Sequence, residues 1–157
     1  MRKLMVLILL ATAAFNSNNA SAQVNINVNI GSQPLWGPTG YDYVDYYYLP
    51  EIESYYYVPE RRFVYLNNGN WIYSPGLPPR HRGYDLYRGY KVVINSPRPY
   101  RYFSKHKVKY AKYRSHHSQP IIKYSKNAKY HVSKGHSGYR SKGKGNGNGK
   151  GHGKNKH

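Results

Sequence analysis

Lysine and tyrosine crowd together in the last part of the chain, and no other residue pattern in it is better placed to do chemistry. From Arg98 to His157 there are seventeen Lys and Arg and no Asp or Glu. Lys105, Lys107, Lys109, Lys112 and Arg114 occupy one stretch, with Tyr110 and Tyr113 among them. Lys123, Lys126 and Lys129 follow with Tyr124 and Tyr130, and Arg140, Lys142 and Lys144 continue the run. Ammonium and guanidinium groups neutralise phosphates and release condensed counterions, so binding is strong at low salt and weak at high salt. Interleaved phenol rings can stack on bases or sugars. The eleven cations are therefore read as polyanion-binding, and Tyr110, Tyr113, Tyr124 and Tyr130 as stacking residues. The competing reading is a solvated segment that only keeps the protein soluble.

Other chemistries are poorly supported. His116 and His117 are adjacent, and His131 and His136 are five residues apart. Imidazole ligates Zn, Ni and Cu, so these four are the weak metal candidates, and an exported metal-handling protein is the first alternative. A structural zinc site wants four ligands at set spacing, and this segment offers neither Cys nor carboxylate. No metal and no cofactor is expected. Gly138 to Lys144 has phosphate-loop spacing, yet Gly145 stands where Ser or Thr would hold Mg²⁺, and no strand precedes it. A hydrolase built on Glu51, Glu53 or His81 is the second alternative. His81 sits between Arg80 and Arg82 with no acid near it in sequence to orient it. The expectation is a protein without enzymatic activity.

Something must hold these residues, and something must deliver them. Arg2 and Lys3 precede the apolar stretch Leu4 to Phe15, and Ala20-Ser21-Ala22 offers small residues for cleavage before Gln23. The run is shorter than the ~20 apolar residues of a spanning helix. This predicts a signal peptide over 1–22 and a bacterial protein exported to the periplasm, cell surface or medium. Such a protein meets lipopolysaccharide phosphates, acidic glycans and extracellular DNA, and a chromosomal role is not expected. The chain has no Cys, so no disulfide staples the fold.

All six carboxylates lie between Asp42 and Asp85. Residues 23–97 balance six acids with six bases, so the net charge of +19 resides almost wholly beyond them. Charge and composition thus predict a small β-domain over 23–97 and a disordered Lys/His/Gly-rich tail over 98–157. About 75 residues is near the lower limit for a disulfide-free core. In the tail Val108, Ile121, Ile122 and Val132 stand isolated among polar residues, too few to offset chain entropy.

Within 23–97 the period is that of strands. Val24, Ile26, Val28 and Ile30 alternate with Asn, which predicts a strand with one buried face. Gly31 to Gly40 is a loop with Trp36 as its anchor. Ser54 to Val58 predicts a strand. Phe63 to Leu66 and Trp71 to Tyr73 bracket Asn67-Asn68-Gly69-Asn70, a β-hairpin signal. Ser74 to Gly83 is too rich in Pro and Gly for a regular element, and Lys91 to Ile94 predicts the closing strand. Thirteen of the 20 Tyr lie between Tyr41 and Tyr90. On strands they alternate faces, so one set is expected in the core and the other on an exposed face open to a protein partner. Edge strands offer a second partner surface.

The order Tyr46 to Pro50, Phe63 to Trp71, Leu77-Pro78, Val92 to Ile94 and Pro99 to Tyr102 resembles a group of small secreted, Tyr-rich bacterial proteins of unknown function. They share an aromatic hairpin with a G-x-W turn, an L-P loop and a P-Y-x-Y exit. The resemblance implies a small all-β domain, an antiparallel meander or sheet, and no activity.

Overall fold

The computed structural model describes residues 28–140. Its centre is one antiparallel sheet of five strands: β1 (Tyr46–Leu49), β2 (Ser54–Tyr57), β3 (Arg62–Asn67), β4 (Asn70–Ser74) and β5 (Val92–Ile94). The spatial order is β4-β3-β2-β1-β5, so β1 to β4 form a meander and β5 returns to the free side of β1. The all-β class is as expected. The β3–β4 hairpin turns on Asn68 and Gly69 at φ 47° and 79°, with Asn67 facing Asn70. Only residues that tolerate positive φ close so tight a turn. Central strand β1, by contrast, has no alternating signal, because three consecutive Tyr read the same on both faces.

Both faces of the sheet are covered, which differs from the expected single core. On one face Tyr47, Leu49, Tyr56, Phe63 and Tyr65 pack with Trp36, Val44, Ile52 and Val58. Trp36 anchors its loop as expected, edge-on to Tyr56 at 4.8 Å between ring centroids. On the other face lie Tyr46, Tyr48, Tyr55 and Val64, with Tyr57, Trp71, Val92 and Ile94 around them. Tyr55 is fully buried and Tyr48 nearly so. The expectation of one exposed Tyr face is therefore overturned for β1 and β2.

The cover of that second face is the start of the basic segment. After β5, Arg98 takes a left-handed conformation, φ 47°, and turns the chain back over the sheet. A 3-10 turn at Pro99–Tyr102 leads into a short helix, α1 (Phe103–Lys109). Phe103, His106 and Tyr110 fall at i, i+3 and i+7, which places them on one helical side. Those three are half-buried, while Lys105, Lys107, Val108 and Lys109 are exposed. Trp71 meets Tyr100 at 5.3 Å and Phe103 at 5.5 Å.

A second part of the basic segment clips onto the opening loop. Ile122 and Lys123 donate their amides to the Gly37 and Leu35 carbonyls at 2.9 and 2.8 Å, and Thr39 donates to Pro120 at 3.1 Å. Ile122 and Tyr130 pack with Ile30 as a small separate core. The Tyr130 hydroxyl accepts from the Gly40 amide at 2.7 Å. The expected disorder from Arg98 onward therefore does not hold for residues 98–140. Isolated apolar residues cannot make a core of their own, yet each can fill a site on a surface already formed. Residues 141–157, with Lys142 and Lys144, and the signal segment over 1–22 lie outside the described residues.

The N-terminal strand is also revised. Val24 to Asn27 lie outside the described residues, Val28 and Asn29 belong to no strand, and Ile30 opens a 3-10 turn. Asn29 replaces ladder pairing with its side chain. Its amide group donates to the Val44 carbonyl at 2.7 Å, and its oxygen accepts from the Val44 amide at 2.9 Å. One side chain thus satisfies two backbone groups that a partner strand would have met.

Candidate functional site

The cations of the basic segment divide into paired and unpaired groups. Glu53, at the β1–β2 turn, receives Lys107 at 2.9 Å and also Arg114. Lys129 bonds Asp42 at 2.7 Å. These three expected polyanion contacts therefore have carboxylate partners inside the molecule. Lys105, Lys109, Lys112, Lys123, Lys126 and Arg140 are exposed, and among the described residues none of them pairs with a carboxylate. Lys91, outside the predicted set, is the contrary case. It is buried, its Nζ donates to the Gly89 carbonyl at 2.6 Å, and desolvation brings its pKa down to about 8.

The expected stacking residues separate in the same way. Tyr130 is buried and belongs to the small core. Tyr110 packs against Tyr48 at 5.8 Å, under α1. Tyr113 lies flat on Tyr90, 4.5 Å between centroids and 4° between planes, so that ring face is occupied. Tyr124 is 72% exposed and is the one member of the set with an open ring. Sequence reasoning missed that Tyr87 lies close by. The Lys123 ammonium sits 4.7 Å from the Tyr87 ring centre and 5.2 Å from that of Tyr124, a cation held between two aromatic rings. No sequence signal links them, because Tyr87 belongs to the neutral part of the chain.

Tyr124 stands beside an open concavity of about 700 Å³ between the Ile122–Tyr124 turn and the stretch from Gly135 to Gly138. Lys123, Lys126 and His131 line it, and no carboxylate does. A second concavity, lined by Thr39, Tyr87 and His117 among others, shares Tyr124 and Ser125 with it. Lys123 and Lys126 thus stand beside the exposed Tyr124 ring, as Lys105 stands 5.8 Å from the exposed Tyr102 ring elsewhere on the surface.

Among the described residues the candidate histidines are not gathered around one point. His136 is buried, its Nε2 lies 2.9 Å from the Ser125 carbonyl, and its Nδ1 is 3.0 Å from the Gly138 amide. A carbonyl can only accept and an amide N–H can only donate, so both ring nitrogens are committed and neither is open to a metal. His116 is drawn edge-on to Tyr113 at 5.6 Å. Among the described residues no three His, Asp or Glu side chains come together to hold an ion.

Residues of the hydrolase alternative do share a surface. Glu51, His81, Tyr84 and Asp85 line one open concavity of about 490 Å³. His81 Nε2 accepts from Arg80 Nε at 3.1 Å, and burial, then the Arg80 charge, lowers its pKa. That arrangement occupies the nitrogen a general base would use. Glu53, the other carboxylate considered, is bound by its two cations, and no Ser, Thr or Cys lines the concavity.

No family model, curated protein or solved structure matches the chain. Among the described residues no helix is long and apolar enough to cross a membrane.

Proposed function

We propose that this is a non-enzymatic exported protein of the bacterial envelope or surface whose basic C-terminal half contacts anionic polymers. The observation that carries the reading is the one-sided distribution of unpaired charge. Nine exposed cations of the described residues 98–140 have no carboxylate partner, in a segment that contains no acid, while Glu53 and Asp42 hold three others internally. The second support is structural economy: Phe103, His106 and Tyr110, and further on Ile122 and Tyr130, face inward, so the lysines between them are displayed on a fixed surface. Export rests on the apolar leader, which belongs to residues outside the described ones. Among the described residues the metal-handling reading has no gathered donor set to favour it, and the hydrolase reading has no oriented base and nucleophile.

Binding of the full chain to a phosphate-rich polymer across a salt series tests this. Engagement of about six phosphates predicts a loss of affinity on the order of a thousandfold between 50 and 200 mM salt. Binding that is indifferent to salt, or absent at low salt, would remove the electrostatic reading.

A further inference from the structure

The concavity beside Tyr124 differs from the rest of the basic surface because it is built rather than merely charged. Its floor is fixed by His136, 5% exposed, whose Nε2–H donates to the Ser125 carbonyl and whose Nδ1 accepts the Gly138 amide. These two bonds tie the Tyr124–Ser125 stretch to the turn at Gly138. His131 lies against this floor, 5.3 Å from the His136 ring. Its ring presses so closely on Gly138 that a Cβ at that position would come within 2.5 Å of its Nε2. Gly138 is thus required to let the imidazole lie where it does. Around that floor Lys123, Lys126, Ser137 and the exposed Tyr124 line the concavity.

We propose that this concavity binds a single saccharide unit carrying an oxyanion, phosphate or carboxylate, with its ring stacked on Tyr124 and its charge met by Lys123 and Lys126. His131 and Ser137 offer polar contacts to sugar hydroxyls. The proposal rests on the polyanion reading above and narrows it to one place and one ligand class. The ring count favours a sugar over a nucleic-acid strand. Single-stranded nucleic acid uses successive aromatic platforms along a charged groove. Of the expected stacking residues Tyr130 is buried, Tyr113 is stacked on Tyr90 and Tyr110 is half-buried, and Tyr124 is the one phenol ring lining this concavity, beside Lys123 and Lys126. The Lys123 ammonium lies 5.2 Å from the centre of the Tyr124 ring, so a positive charge stands within reach of an acidic group on a sugar at that ring.

Calorimetry on the full chain tests this with four probes: a uronic-acid oligosaccharide, a phosphorylated oligosaccharide, a neutral dextran oligosaccharide and an oligonucleotide of similar length. At least one acidic saccharide should bind, and which one does distinguishes carboxylate from phosphate. Dextran should not bind. The double substitution Lys123→Gln/Lys126→Gln, and separately Tyr124→Ala, should each weaken binding by about tenfold, the lower end of what loss of a stacking ring or charged contact costs. Lys105→Gln/Lys109→Gln on α1, equal in charge change, should weaken it less than about threefold. All substituted side chains are exposed, and unchanged thermal melting confirms that each variant folds. If the α1 pair lost as much as the Lys123/Lys126 pair, or if Tyr124→Ala had no effect, the site would be refuted while the polyanion reading stood. An oligonucleotide bound as tightly, with the same dependence on Tyr124, would refute the saccharide class. Failure of every anionic probe to bind at low salt would refute both readings.

Discussion

The two faces of the sheet are buried by segments of different electrostatic character, one from the neutral part of the chain and one from the basic part. One face is closed by the opening loop, through Trp36 and Val44, and by the stretch around Leu77 to Leu86. All six acids of the protein lie between Asp42 and Asp85, in the same part of the chain as most of this first cover. The other face is closed by Tyr100, Phe103 and Tyr110, from a segment that has no acid at all. The contrast shows how a strongly cationic stretch can be part of a fold. Its aromatic residues need only an existing apolar surface, and its lysines need only the opposite side of a short helix. Charge and burial are then sorted by helical period rather than by domain.

Replacing a buried tyrosine on each face separates the two covers most strongly. Tyr47→Ala on the first face and Tyr55→Ala on the second should each cost about 3–5 kcal/mol in urea denaturation, the usual range for deleting a buried aromatic. Both residues are fully buried. If Tyr55→Ala cost less than about 1 kcal/mol, the second face would be bare and the comparison would fail. Next in size is Phe103→Ala, which removes a half-buried ring from the cover alone. It should cost about 1–2 kcal/mol and leave the packing of Trp36 intact, as read from near-ultraviolet circular dichroism.

Smaller still is the effect of the pairing between cover and sheet. Glu53→Gln removes the carboxylate that receives Lys107 and Arg114. These side chains are 23 to 49% exposed, so solvent screens the pairs, and the expected cost is about 0.5–1 kcal/mol, shrinking with added salt. The same change releases two cations, so binding to a polyanion should tighten. Weaker binding after Glu53→Gln would show that the ion pairs serve the binding surface rather than compete with it.

The smallest expected effect is a pH dependence confined to the second face. His106 Nδ1 lies 2.9 Å from the Tyr55 hydroxyl, under α1. Burial, and then the charge of Lys109, lowers the His106 pKa from its ordinary value. A lowered histidine pKa means that the unfolded chain takes up the proton first as pH falls. Its contribution to stability is therefore full above the ordinary value of about 6.5 and is lost as pH falls through the lower, folded value. His106→Phe should remove that part of the acid sensitivity. An unchanged pH profile in the variant would place the acid-sensitive group elsewhere.

Much of the sheet was legible in the sequence, and the reasons are local. Asn68-Gly69 has the backbone tolerance that only a tight hairpin needs, and the β-branched run Val92 to Ile94 has one plausible use. Strand β1 was opaque because Tyr46 to Tyr48 show no alternation, and none is required when both faces are buried. The cover was misread for a related reason. Phe103, His106 and Tyr110 are a single helical stripe of three, too short to stand out from the lysines around them. Their burial depends on Tyr48, Tyr55 and Trp71, more than thirty residues away in sequence. At the candidate site, Lys123, Lys126 and Tyr124 were legible as types. That Lys123 sits between Tyr124 and Tyr87, and that His136 is a floor rather than a ligand, depends on turns that no periodic pattern announces.

Amide hydrogen exchange on the full chain tests the central claim, that the basic segment is a folded cover and displays its charge from a fixed surface. The amides to follow are Tyr110, bonded to the His106 carbonyl, and Ile122 and Lys123, bonded to Gly37 and Leu35. Slowed exchange at all three, lost only when the β1–β2 pairing itself opens, is the predicted result. Exchange of these three at the rate of an unstructured peptide, while the amides of β1 and β2 stay protected, would contradict it.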